Sequence, residues 1–174
     1  MKKYLSILVS IALFASILSA CDLTSIAESS SPTEAEVIGI PGTLVAENFT
    51  FNIVSAELLD AITLNSGLDI EYKADEGKKI LVMRVDATNT SSDVRNVSFF
   101  SAYVDNVTVL PYAVLGKYGD RIMMNGAVNP GKTMSAYVMY QVPTEWDSFE
   151  ICYIDTLTAK SSSSVKFFKS DVTQ

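Results

Sequence analysis

From Lys79 to Thr88 the chain alternates with period two: Leu81, Met83, Val85 and Ala87 fall on one face, Arg84, Asp86 and Thr88 on the other. That alternation suits a half-buried β-strand and does not fit a helix of 3.6-residue period. The run stops at Asn89-Thr90-Ser91-Ser92-Asp93, short polar side chains that bond their own backbone in turns. A second run sets Met134, Ala136, Val138, Tyr140 and Val142 against Ser135, Tyr137, Met139 and Gln141. Pro130-Gly131 turns the chain into it, and Pro143, which has no N–H to give a ladder, closes it. Further strands are expected over Phe49–Leu58, Ser98–Val104, Thr108–Val114, Phe149–Ile154 and Val165–Lys169. About seven short strands without a long amphipathic helix predict an all-β fold, an antiparallel sandwich. Only Ala56–Tyr72 is ambiguous, because AELLDAITLNSGL also fits a helical turn.

The composition supports a packed head and removes several chemistries. Of 174 residues, 48% are apolar and 19% charged, enough hydrophobic side chain for a core and too little charge for a disordered polymer. The length suits one domain with some extra chain. Histidine is absent, which excludes Ser-His-Asp and Cys-His catalysis and every His-containing zinc site. Two cysteines cannot make a thiolate zinc site or a disulfide scaffold. A net charge of −7 excludes a nonspecific grip on nucleic acid. There is also no GxSxG elbow, Walker loop or dinucleotide glycine pattern, so no enzyme activity and no cofactor is expected.

Residues 1–20 read as a targeting segment: Lys2 and Lys3, then the apolar run YLSILVSIALFASIL, then Ser19 and Ala20. The run of about 15 apolar residues falls short of the ~20 a membrane-spanning helix needs, so it is read as cleaved. Leu18-Ser19-Ala20-Cys21 resembles the bacterial lipobox, in which cleavage after the residue at Ala20 leaves a cysteine, here Cys21, carrying a diacylglyceryl group. Two acyl chains suffice for stable anchoring where one is marginal. Asp22 resembles the inner-membrane retention signal of diderm lipoproteins and carries no address in a single-membrane cell. Removing the leader takes two lysines and no acid, leaving −9, so an anionic membrane repels the head and the lipid must hold it. Residues 21–44, poor in large apolar side chains and containing Ser29-Ser30-Ser31-Pro32-Thr33-Glu34, read as lipidated cysteine and flexible linker. The sandwich is expected over 45–174.

Read in order, GKKILVMRVDATNTSSDVRNVSFFSAYVDN, GAVNPGKTMSAYVMYQVP and FEICYI resemble a family of unknown-function domains with an immunoglobulin-like sandwich, common in lipoproteins of Gram-positive bacteria. The matching positions are Gly77, Asn89, Phe99 or Phe100, Pro130-Gly131, Val142-Pro143 and Phe149–Tyr153. One departure is the turn after the aromatic strand, where Asp105-Asn106-Val107 replaces the family's aspartate-glycine hairpin. The resemblance implies a fold and little about activity.

Few residues suggest chemistry. Asp69, Glu71, Asp75 and Glu76 are placed in one loop as weak calcium candidates, but they lack the alternating ligand pattern of a calcium loop, and a solvated charge run is expected. A hydrolase would need a carboxylate pair such as Asp69 and Glu71, for which the sequence gives no geometric support. Cys152, inside Phe149–Ile154, is expected to be a small buried hydrophobe, having no histidine to activate it. Trp146, in a connection after Val142-Pro143, is either an exposed interaction anchor or a cap on the core. Asn48, Asn89, Asn96 and Asn106 each open an Asn-x-Ser/Thr triplet and are read as turn and strand residues. The functional expectation is a lipid-anchored, non-catalytic module facing the extracellular or periplasmic side. It would bind an envelope protein or polymer; the alternative is an accessory lipoprotein that presents a small ligand or calcium to a membrane partner.

Overall fold

A computed structural model of the chain describes residues 35–98, 100–112, 116–155 and 164–173. The leader at 1–20, the Ala20-Cys21 cleavage and lipidation site, and the linker up to residue 34 lie outside the described residues, as does Phe99. In chain order, β1 (Glu36–Val37), β2 (Gly42–Val45) and β3 (Phe49–Leu59) precede the hairpin β4 (Ala61–Asn65) and β5 (Asp69–Lys73). Then come β6 (Lys78–Asn89), β7 (Arg95–Val97), β8 (Ser101–Val104) and β9 (Val107–Val109). β10 (Lys117–Tyr118), β11 (Arg121–Met123), β12 (Gly126–Val128) and β13 (Thr133–Pro143) lead to β14 (Ser148–Cys152) and β15 (Val165–Phe168).

These strands form the expected sandwich. One sheet has the order β2-β3-β6-β13-β11-β10-β4-β5, the other β1-β15-β14-β8-β9, and β12 pairs with β7 as a small third sheet. All pairings are antiparallel except β1 with β15 and β11 with β13. Leu81, Met83, Val85 and Ala87 of β6 and Val138, Tyr140 and Val142 of β13 are buried in one core with Ala102, Val104, Phe149, Ile151, Val165 and Phe167 of the facing sheet. This is the face the period-two pattern assigned to the interior. Each of the seven expected strands is present, although β9 is only three residues long because Pro111 follows it.

The sequence pattern does not reveal a second core on the other face of the same strands. Ile80 and Val82 of β6 and Tyr137 and Met139 of β13 pack with Ile62 and Leu64 of β4. Tyr72, Tyr112 and Tyr118 lie against them. The larger sheet thus curls until β10 and the β4–β5 hairpin cover its outer face, and Gly116, at φ +148°, leaves 2.9 Å between a hypothetical Cβ and Leu64 Cβ. Beyond this core the outer face turns polar. Arg84 lies 5.1 Å from the centre of the Tyr118 ring and 3.1 Å from Glu57. Arg121 pairs with Asp86 at 2.6 Å and donates to the Val85 carbonyl.

Two expectations are corrected. No helical turn forms in Ala56–Tyr72: β3 runs to Leu59, and Ile62 and Leu64 then alternate with Thr63 and Asn65 into a hairpin turned at Gly67, φ +100°. The expected linker is strand in its C-terminal part. β1 pairs with β15, β2 pairs with β3, and Leu44 is buried while Ile38 and Ile40 pack on the core. Backbone pairing with distant strands orders a stretch whose composition looks like spacer.

Asn89 joins the end of β6 to its surroundings. It is 0% exposed, and its Nδ2 donates to the carbonyls of Asp93 at 2.7 Å and Val128 at 2.8 Å. Its Oδ1 accepts from the N–H and Oγ of Ser91 at 2.9 and 2.8 Å. Its backbone N–H donates to Lys132 and its carbonyl accepts from Gly131, which fixes the Pro130-Gly131 turn. Removing the side chain would strand the buried Val128 carbonyl, so Asn89→Ala is expected to lower stability by about 3 kcal/mol in urea unfolding. A loss below about 1 kcal/mol would contradict this role.

Three core tyrosines donate to main-chain carbonyls: Tyr137 to Gly116, Tyr140 to Phe100 and Tyr153 to Asn96. Burial pushes the Tyr137 and Tyr153 hydroxyls up to about 12 and raises Tyr140 as well. A folded pKa above the unfolded value of about 10 gives stability that is complete below pH 10 and lost as pH rises towards 12. Urea midpoints are therefore expected to hold to about pH 9.5 and fall by pH 11, with part of the tyrosinate absorbance at 295 nm appearing only on unfolding.

Candidate functional site

The loops at one end of the sandwich meet around Trp146. Thr144 donates from its N–H and its Oγ1 to the Gly77 carbonyl, tying the segment after β13 to the turn before β6. Trp146 then folds inward and meets Phe149 and Phe167 edge-on at 6.3 and 6.5 Å. It is 5% exposed, so the exposed-anchor reading is corrected: the side chain caps the core. Its indole N–H is buried and has no acceptor among the described residues. Beside it lies an open depression of about 620 Å³ lined by Glu145, Trp146, Asp147, Phe168, Lys169 and Ser170.

The turn between β8 and β9 holds this segment. Val104 pairs with Val107, so Asp105 and Asn106 make a two-residue hairpin loop, and both have left-handed φ values, +47° and +67°. That is the type I′ geometry that twists with its strands, and Asn and Asp tolerate it best after glycine. Asn106, at the position where the resembled hairpin has glycine, therefore still allows a tight turn. Asp105 also clamps the neighbouring segment. Its carboxylate accepts from the Asp147 N–H at 3.1 Å and the Ser148 N–H at 2.8 Å, while its own N–H donates to the Ser148 carbonyl. On the other side Lys169 donates to the Thr144 carbonyl at 2.8 Å and pairs with Glu145 at 3.0 Å. Nothing near Trp146 in sequence signals this clamp.

The four acidic candidates do not share a loop. Asp69 and Glu71 project from β5, and Asp75 and Glu76 lie in the turn before β6. Asp69 accepts from Asn65, Glu71 pairs with Lys73 at 3.4 Å, and Asp75 pairs with Lys78 at 3.0 Å. The hydrogen bond and charge of Lys78 hold the Asp75 carboxyl below the usual carboxylate range. Among the described residues no group of three or more His, Cys, Asp or Glu is placed to hold a metal ion. Cys152 is buried at the end of β14, and burial, with Glu150 nearby, pushes its thiol up and so keeps it protonated. Of the Asn-x-Ser/Thr positions, Asn48 and Asn89 are buried, and Asn48 donates to Asp155 at 2.9 Å.

A two-sheet, mostly antiparallel architecture with a clamped loop end defines the chain as a β-sandwich protein. It belongs to a family described as a domain of unknown function, DUF5067, whose pattern matches residues 24–153. No curated protein matches the chain. Among solved structures, yjhA of Bacillus subtilis is 19% identical, with 76% of this chain and 99% of yjhA covered at a TM-score of 0.55. An uncharacterised β-sandwich protein of Clostridium difficile is 10% identical over 79% of this chain and 95% of its own, with a TM-score of 0.52. The candidate lipoprotein ycdA of Bacillus subtilis is 18% identical over 72% of this chain, with a TM-score of 0.53. The chain spans 37% of ycdA, little more than a third of its length.

If Asp105 fixes the Trp146 segment, Asp105→Ala is expected to cost about 1–2 kcal/mol in urea unfolding, since it strands two backbone donors and puts alanine at a left-handed φ. The emission of Trp146, the one tryptophan of the chain, is expected to move to longer wavelength as the indole gains water. Unchanged emission would show that the indole is held without Asp105.

Proposed function

We propose that the protein is a lipid-anchored binding module of the bacterial cell envelope that works by contact and without catalysis. Leu18-Ser19-Ala20-Cys21, directly after an apolar run with two leading lysines, carries this reading. The candidate lipoprotein ycdA, with the same fold, is in keeping with it. Among the described residues, strand pairing starts at Glu36. The short polar composition of Ser29-Ser30-Ser31-Pro32-Thr33-Glu34 supports reading the segment after Cys21 as a spacer between anchor and head. The head contributes a frame of paired strands with loops at its ends, an arrangement in which a sandwich commonly binds through its loops.

Cells fed labelled palmitate are expected to yield a labelled protein that sediments with membranes, whereas Cys21→Ser is expected to lose the label and remain as uncleaved precursor. An unlabelled wild-type band, or label retained in Cys21→Ser, would sink the anchoring claim.

A further inference from the structure

The loop end around Trp146 is not the end of the smaller sheet at which β1 begins. Glu36 joins the smaller sheet beside Val165, its N–H bonded to the Ser164 carbonyl, and β1 then runs parallel to β15. β15 continues from Val165 to Phe168, which pairs with Ser148, and Lys169 donates to the Asp147 carbonyl. The depression therefore lies about 10 Å further along the sheet than Glu36, past the far end of β15.

Its chemistry is uneven. Trp146, 5% exposed, forms part of the wall of the depression. Phe168 is 41% exposed at the rim, an apolar ring open to solvent. Around them the charge is anionic. All three lysines at this end are already engaged, Lys79 with Asp60, Lys78 with Asp75 and Lys169 with Glu145. Glu76, Asp105, Asp147 and Asp171 have no cation partner among the described residues. Asp105 and Asp171 spend their oxygens on backbone N–H groups, which leaves Asp147 as the uncompensated carboxylate in the lining.

We propose that this depression docks a basic polypeptide segment of a partner. A lysine or arginine head meets Asp147 and Glu145, and its stem lies on the Phe168 ring. A neutral saccharide would leave the anionic rim unanswered, and an acidic polymer would be repelled. The proposal rests on the reading of the chain as a binding module and deepens it.

Trp146 reports on its own site. With the full-length protein in neutral dodecyl maltoside micelles, octalysine is expected to shift Trp146 emission saturably. Glu145→Gln with Asp147→Asn is expected to weaken that titration about tenfold, whereas Asp69→Asn with Glu71→Gln, the same loss of charge on β5, should leave it within about twofold. No shift, equal weakening in both double variants, or a shift produced by chitotriose and not by octalysine would overturn the proposal. The Cys21→Ser chain should bind octalysine like the wild type, so failure of the anchor and failure of this site read separately.

Discussion

Everything in this head hangs from the ladder between β6 and β13. Eleven residue pairs, from Thr133 opposite Thr88 to Pro143 opposite Lys78, hold two of the three longest strands side by side. One slip of register would carry Leu81, Met83, Val85 and Ala87 out of the main core and put Arg84 and Asp86 into it. The cost would be smallest where both faces are dry. Ile80 to Met83 are four consecutive buried residues, and Ala136 to Tyr140 are five. In that stretch a slip exchanges one apolar set for another. The register must therefore be enforced by the half-polar stretch from Arg84 to Thr88, through the Arg121–Asp86 and Arg84–Glu57 pairs and the Thr88–Thr133 hydroxyl bond.

The ends of the ladder are finished by polar side chains bonded to backbone. Asn89 ties the close of β6 to Val128 and to the turn that starts β13, and Asp105 ties the β8–β9 turn to the segment between β13 and β14. Each satisfies main-chain groups that a loop would otherwise leave to water, and each spans a long stretch of sequence with one amide or carboxylate. A frame closed in this way needs little from the side chains facing outward between the clamps. Partner contacts can therefore reside in Glu145, Asp147 and Phe168 without disturbing the register that positions them.

How much of this was legible follows from where the alternation was clean. β3, β6 and β13 were found because one face is apolar and the other polar over much of their length, and the turns at Asn89 and Pro130-Gly131 carried their own signals. The second core was hidden because Ile80-Leu81-Val82-Met83 is apolar on both faces, and period cannot say what lies across from it. The β4–β5 hairpin was ambiguous because Leu58, Leu59 and Ile62 sit at spacings a helix also uses. β1 and β2 looked like spacer because their order comes from partners elsewhere in the chain, β15 and β3, and not from their own side chains. The candidate site was harder still. The position of Trp146 after Val142-Pro143 left both an exposed anchor and a core cap open; Asp105, which holds the segment that turns it inward, is 42 residues away from the backbone N–H it binds.

The same reasoning explains why the acidic run misled. Charges close in sequence suggest one site only if the backbone keeps them in one loop. A strand sends alternate residues to opposite faces, and a turn redirects the rest. Once β5 is a strand, Asp69 and Glu71 share a face exposed to water and each finds a local partner, while Asp75 and Glu76 pass to the turn beside Lys78. The carboxylates that do gather with an aromatic, Glu145 and Asp147, are both exposed and flank the buried Trp146 between them. Proximity in this sandwich is set by strand ends brought together across the sheets, and function has to be sought there.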